Sequence, residues 1–194
     1  FFIIPKNHPA DNIAGTIRKT RSDTISKERS KPLHIVSCSF GKDSLATILL
    51  ALEHGEPLDE AVYCEVMFDK TISGEVPEHR DFIYHTAIPK LERMGVKVRV
   101  LRAEKTYVDL FAGTVTRGPK KGMLRAFPIC GKCYVQRDCK IKPICRYQKS
   151  LPADTMQYIG IAYDEQKRLS RLKDQQVSLL AKYKFTEEDA KPVS

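Results

Sequence analysis

Two groups of side chains in this sequence have types and spacings that do chemistry. The first is Ser39-Phe40-Gly41-Lys42-Asp43-Ser44, small and polar residues between the apolar run Ile35 to Cys38 and a stretch in which Leu45, Ile48, Leu49 and Leu52 recur at i, i+3, i+4 and i+7. That recurrence marks one helical face. The hexapeptide therefore falls where a helix begins and its first backbone N–H groups lack partners, a place that binds phosphate. A plain N-cap at Asp43-Ser44 is the simpler use of the same residues. The run is not the Walker pattern, which needs two glycines flanking four residues and then Lys-Ser/Thr. The second group is Cys130, Cys133, Cys139 and Cys145, four thiols within sixteen residues. They can converge on one metal centre, zinc or iron–sulfur. Their spacing matches neither a zinc ribbon nor the bacterial ferredoxin run and does not choose between the metals, and a metal-free thiol relay uses the same residues. Cys38 and Cys64 fall within apolar strands and read as buried small hydrophobes.

The elements that must position these groups follow in order. After the strand at Ile35–Cys38 and its helix, which Gly55 closes in the left-handed conformation, Ala61 to Phe68 reads as a second buried strand ending at Asp69. A loop from Lys70 to Pro77 leads to a helix from about Glu78 to Met94. There Tyr84, Ala87, Ile88 and Leu91 share a face, Pro89 predicts a kink and Gly95 a stop. Val96 to Leu101 alternates as a third strand. Thr106 caps a short helix through Phe111, and Gly113 to Phe127 is a basic loop holding Arg117, Lys120, Lys121 and Arg125, either a surface loop or part of an active site. Pro128, Gly131 and Pro143 give the cysteines a loop-rich setting. Gln157 to Ala162 reads as a further strand, Asp164 to Tyr183 as a charged helix with a thin line of leucines, and Thr186 with Asp189 as a capping box. The sum is an α/β chain: an open parallel sheet with helices on both faces, flavodoxin- or Rossmann-like, plus a Cys-rich loop region. Ligands on such sheets sit beyond the carboxyl ends of the strands.

In 194 residues there is room for one domain with a sizeable core. We expect a basic arm at 1–32, with Arg18, Lys19, Arg21, Lys27, Arg29 and Lys31 either solvated or closing over an anion, and a nucleotide-binding domain at 33–194 with its Cys-rich insert at 128–149. The net charge of +9 predicts an anionic partner: nucleotide, pyrophosphate, sulfate or nucleic acid. No apolar run is long enough to span a membrane and no signal peptide shows, which predicts a cytoplasmic protein without membrane partners. Cysteine use then points to metal or redox chemistry rather than disulfides. The sequence opens at Phe1 without a methionine and stops at Ser194 soon after a helix start, so both ends are expected to continue.

The blocks also carry a resemblance. Ser39-Phe40-Gly41-Lys42-Asp43-Ser44 after a buried strand resembles the pyrophosphate-binding PP-loop of the adenine nucleotide alpha-hydrolase-like superfamily, usually Ser-Gly-Gly-x-Asp-Ser. Phe40 in the second position is similar to the branch of phosphoadenosine phosphosulfate (PAPS) reductases and their ATP-using relatives. Asp69 to Phe82, with Gly74 and Glu75-Val76-Pro77-Glu78, is similar to that family's second block, with an insertion around Thr71 to Ser73. Cys139-Lys140-Ile141-Lys142-Pro143-Ile144 resembles its basic block, with Cys139 where an arginine is common. Gly160-Ile161-Ala162-Tyr163-Asp164-Glu165 with Arg168 resembles its late block.

The resemblance implies ATP, or PAPS or adenylyl sulfate, held by Ser39, Phe40, Gly41, Lys42, Asp43 and Ser44, with Asp43 positioning Mg²⁺. It implies adenine received near Met67, Phe68, Asp69 and Gly160, although core packing is the simpler use of Met67 and Phe68. Lys42, Asp43, Lys140 and Arg168 would carry the reaction, and Glu75, Glu78, Arg117 and Lys121 would hold the second substrate. An iron–sulfur cluster on the four cysteines, as in some relatives, is the implied metal, with zinc the alternative. The implied reaction is adenylylation with pyrophosphate release for sulfur transfer, with a sulfur-donor protein or a second copy of the chain as possible partners. Reduction of PAPS or adenylyl sulfate is an alternative that in the family uses a C-terminal cysteine, and no cysteine follows Cys145 here. A non-catalytic nucleic-acid-binding subunit that retains the nucleotide fold is the other.

Overall fold

Ile35 and Val36 are sealed from solvent, 1% and 0% exposed, because their strand lies in the middle of the sheet with a neighbour on each side. A computed structural model of the chain describes residues 31–125 and 133–189. Arg18, Lys19, Arg21, Lys27 and Arg29 of the expected arm, and Cys130, lie outside those residues. Strands β1 (His34–Ser37), β2 (Glu60–Glu65), β3 (Lys97–Arg102), β4 (Met156–Tyr158) and β5 (Gln176–Val177) form one sheet in the order β3-β2-β1-β4-β5. Every pairing is parallel, and Val36 lies opposite both Ala61 and Tyr158. The parallel α/β sheet expected from the sequence is thus present. Strand order reverses at β1: the chain builds outward to β2 and β3, then returns to place β4 and β5 on the other side.

All six residues of β2 are buried, as a central parallel strand requires. Two of them are carboxylates, and the edge strand β3 supplies their cations. Arg99 donates to Glu60 at 2.8 Å, and Arg102 donates to Glu65 at 2.6 and 2.8 Å. Helix α1 (Lys42–Glu53) buries Ile48 and Ala51 and ends at Gly55, whose φ of +64° is the expected left-handed cap.

The second helical stretch runs as α2 (Pro77–Asp81), a π-helical turn (Phe82–Ala87) and α3 (Ile88–Arg93). Pro89 has no N–H for the carbonyl four residues earlier, and the expected kink takes the form of this wide turn ahead of it. The buried centre of the face is Ile83, Ala87 and Leu91, with Tyr84 and Ile88 half-buried at its margin. The short helix α4 (Tyr107–Phe111) has its reciprocal Thr106–Asp109 box.

Four sequence expectations need correction. The described part of the Cys-rich stretch is helix rather than loop: it is continuous from Tyr134, with a π turn at Gln136–Ile141 followed by α5 (Lys142–Lys149). Pro143 is tolerated near the start of α5 because the Cys139 carbonyl it leaves without a helical donor accepts the Cys64 thiol at 3.4 Å. Strand β2 stops at Glu65, not Phe68. Asp69 Oδ1 accepts the N–H groups of Thr71 and Ile72, and the chain folds back so that Met67 bridges Ser73. Strand β4 ends at Tyr158, and Gly160 to Ala162 leave the sheet. The helix expected over Asp164 to Tyr183 is instead α6 (Gln166–Leu169), strand β5 and α7 (Leu179–Lys182). Ser178 ends β5 and caps α7, accepting from Ala181 N–H at 3.1 Å while its hydroxyl donates to the Ile161 carbonyl. Thr186 and Asp189 exchange the hydrogen bonds of a capping box, as expected.

Candidate functional site

Strand order reverses between β1 and β4, and on such sheets ligands in general lie beyond the strands' carboxyl ends at that point. The chain leaves β1 into the Ser39 turn and leaves β4 into Gly160, and the two meet. A Cβ on Gly160 would lie 2.9 Å from the carbonyl carbon of Asp43 and 3.0 Å from its oxygen, so only glycine lets this backbone close on the start of α1. The turn itself is tied by Ser44: its hydroxyl donates to Gly41 O at 2.9 Å and accepts from Ser39 N–H at 3.2 Å. Phe40 holds φ = +57°, a conformation that favours glycine, because its ring is buried edge-on against Tyr63 with centroids 5.1 Å apart. The N-cap of α1 is Gly41, with no side chain accepting from the first turn. The plain side-chain cap at Asp43-Ser44 is therefore not what the residues do.

Lys42 Nζ reaches Asp43 Oδ1 at 2.9 Å and Glu187 Oε1 at 3.5 Å. Its pKa is raised, first by the Asp43 hydrogen bond. Glu165 receives Arg168 and the Ala162 N–H, and its carboxyl is held below the usual range chiefly by Arg168, with Lys42 adding to the effect. Ser39 to Ser44, Gly160, Glu165 and Arg168 thus gather at one end of β1 and β4. Glu187 joins them without any sequence signal beyond its place in the Thr186 box.

The remaining candidates sit elsewhere around the sheet. The backbone of Met67 to Asp69 is occupied: the carbonyls of Met67 and Phe68 accept from Tyr107 and Val108, and the N–H groups of Phe68 and Asp69 donate to Ile72. Phe68 presents its ring, 44% exposed, stacked on Tyr107. Asp69 organises its own loop, and those loop hydrogen bonds lower its pKa. Glu75 lies beside the buried Tyr63 hydroxyl, whose pKa is pushed up by burial and then by Glu75; Glu78 is exposed in the first turn of α2. Lys140 lies beside Cys64, whose thiol burial pushes up to about 11. Lys121 is on the exposed loop, and Arg117 lines a cavity with Arg125, Arg137 and Tyr134.

Three of the four candidate metal cysteines are among the described residues. Cys139 is fully buried and its thiol donates to the Lys105 carbonyl at 3.1 Å, whereas Cys133, just before the helix, and Cys145, within α5, are exposed. Among the described residues no three His, Cys, Asp or Glu side chains come together as a metal site, nor is any helix long and apolar enough to cross a membrane.

Sequence reasoning passed over a cluster around Glu65. This carboxylate is 0% exposed and accepts from Arg80 at 3.1 Å, Tyr84 at 2.7 Å and Arg102. The available signal was a lone acid inside the apolar run Ala61 to Phe68, which must find cations to be buried.

No family model matches the chain, and no curated protein matches it.

Proposed function

We propose that the chain is a nucleotide-binding enzyme of the PAPS reductase-like branch of the PP-loop superfamily, on a Rossmann-like sheet. It holds ATP, or a sulfated adenylate, beyond the carboxyl ends of β1 and β4. The observation that carries the reading is the side-chain-free start of α1 at the strand-order reversal, with Gly160 closed against Asp43. The first N–H groups of that helix and the Lys42 ammonium suit a pyrophosphate. A phosphate taking Lys42 displaces Glu187, the looser of its two acidic partners.

The reaction is attack of a substrate oxygen on the α-phosphate, with pyrophosphate leaving and AMP then displaced by a sulfur donor from outside the chain. Lys42 and the helix N–H groups stabilise the charge growing on pyrophosphate, and Arg168, released from Glu165, holds the far end of the substrate. Asp43 would hold Mg²⁺, which supplies charge neutralisation to the phosphates.

Isothermal titration of the chain with Mg-ATP and with PAPS tests the reading. One of the two binds saturably, and Lys42→Ala weakens it by about tenfold or more, the effect of losing a charge-assisted hydrogen bond. Absence of binding by both, with Lys42→Ala changing nothing, refutes it. Preference for PAPS selects the reductive chemistry. RNA or DNA binding that falls steeply with salt, without nucleotide binding, selects a non-catalytic nucleic-acid role.

A further inference from the structure

The loop after α4 and the start of the Tyr134 helix border an open recess of about 360 Å³, whose described lining is Val115, Thr116, Arg117, Arg125, Tyr134 and Arg137. That volume falls in the range of small-molecule sites and exceeds what a bare phosphate or sulfate fills. Three of the six described lining side chains are guanidiniums. Among the described residues no carboxylate pairs with Arg117 or Arg125. Arg125 uses its Nε on the Thr114 carbonyl at 3.1 Å, which fixes the base of the fork. Arg137 is held bidentate by Asp138 at 2.8 and 2.7 Å, but Asp138 is shared with Lys142 at 2.7 Å. Two cations thus share one carboxylate, and Arg117 and Arg125 have no ion-pair partner among the described residues. Forked guanidinium donors match the oxygens of a phosphate or sulfate group in pairs.

A second observation points the same way. The Tyr134 hydroxyl is buried and has no hydrogen-bond partner among the described residues. A buried donor left without an acceptor carries a penalty, which an oxyanion in the cavity relieves by accepting its proton. The Tyr134 ring and Val115 supply apolar wall for an organic body.

We propose that this cavity is a binding site for a small organic phosphate or sulfate ester: the oxyanion is received by Arg117, Arg125 and Tyr134, with Arg137 closing the ring of charge, and the ester's carbon body lies against Val115 and the Tyr134 ring. The site uses none of the residues of the Ser39 turn and stands or falls apart from the nucleotide reading. It gives Arg117 a ligand class.

Calorimetric titration of the full chain with inorganic phosphate, phenyl phosphate and phenyl sulfate at low salt tests it. The aryl esters bind saturably and more tightly than inorganic phosphate. Arg117→Gln and Arg125→Gln each weaken them about tenfold, Tyr134→Phe weakens them by a smaller factor, and Lys42→Ala leaves them unchanged. Phenyl phosphate binding that strengthens as pH rises through about 6, where the second phosphate proton leaves, identifies a dianionic phosphate ester as the ligand; preference for phenyl sulfate identifies the sulfate ester. Because Arg125 also braces Thr114, folding of its variant is checked by circular dichroism, and if it fails to fold the exposed Arg117→Gln decides alone. The proposal is overturned if no probe binds saturably in the millimolar range, if Arg117→Gln binds as the unaltered chain does, or if Lys42→Ala abolishes probe binding.

Discussion

Replacing Glu65 by glutamine keeps the shape of a fully buried side chain and removes its charge. The unaltered carboxyl is pulled both ways. Burial raises its pKa, and the hydrogen bonds of Tyr84, Ser73, Arg102 and Arg80 outweigh burial, bringing it from 4.5 to about 2. At about 1.36 kcal/mol per pKa unit this corresponds to about 3 kcal/mol of stability. The two guanidiniums are 47% and 50% exposed, so water screens part of it, and about 2 kcal/mol is the working figure. The sign follows from the depressed value: the contribution is fully present above pH 4.5 and is lost as pH falls through 2. Urea unfolding of both chains, followed by circular dichroism from pH 7 down to pH 2, measures the gap. Glu65→Gln is less stable by about 2 kcal/mol at pH 7, and the gap closes toward zero at the acid end. Other carboxylates titrate in the same window, and subtracting the variant isolates this one. A gap below about 0.5 kcal/mol at pH 7, the scatter of ordinary surface substitutions, or one that does not change with pH, refutes the reasoning.

Three further outcomes follow from the same geometry. Gly160→Ala drives a methyl into the Asp43 backbone; urea unfolding shows a loss of about 1–3 kcal/mol, and titration shows the proposed nucleotide affinity falling with it. Phe40→Gly removes a buried ring, at about 3–5 kcal/mol, and relieves a left-handed residue, at about 1–2 kcal/mol. Packing wins, and the variant is less stable by about 2 kcal/mol; a stabilised variant contradicts this. In thiol labelling, Cys133 and Cys145 react quickly while Cys38, Cys64 and Cys139 are protected. Protection of Cys133 and Cys145 that a chelator relieves would instead reveal a metal on these residues and contradict their exposure.

The β1–α1 unit was legible because its signals agree: an apolar run, a helical face and Gly55 at the end. The stretch from Asp164 to Tyr183 misled because leucines at 169, 172 and 179 imitate a thin helical face and neither Gly nor Pro interrupts it. A strand of two residues, Gln176–Val177, has no period to read; only its alignment beside β4 makes it a strand. The cysteine stretch read as loop because Pro143 is a breaker in isolation, and its tolerance depends on Cys64, far away in sequence, reaching the freed carbonyl. Likewise the Ser39 hexapeptide marked a helix start, but the approach of Gly160 to Asp43 and the ion pair of Lys42 with Glu187 are products of the sheet order.

The wide turn at Gln136–Ile141 sets a phase. A π turn holds about one residue more than the α-helical turn it replaces, and each helical residue advances the side chains by about 100°. Everything before the turn is therefore rotated by roughly that angle against Lys142–Lys149 relative to a regular helix. Tyr134 lies before this offset, Arg137 within the turn and Lys142 after it. Deleting a single residue within the turn would lengthen no loop and break no strand, yet it would swing Tyr134 out of register with Arg117 and Arg125. A one-residue insertion or deletion in this turn would therefore rearrange the arginine-lined recess while leaving every strand pairing in place.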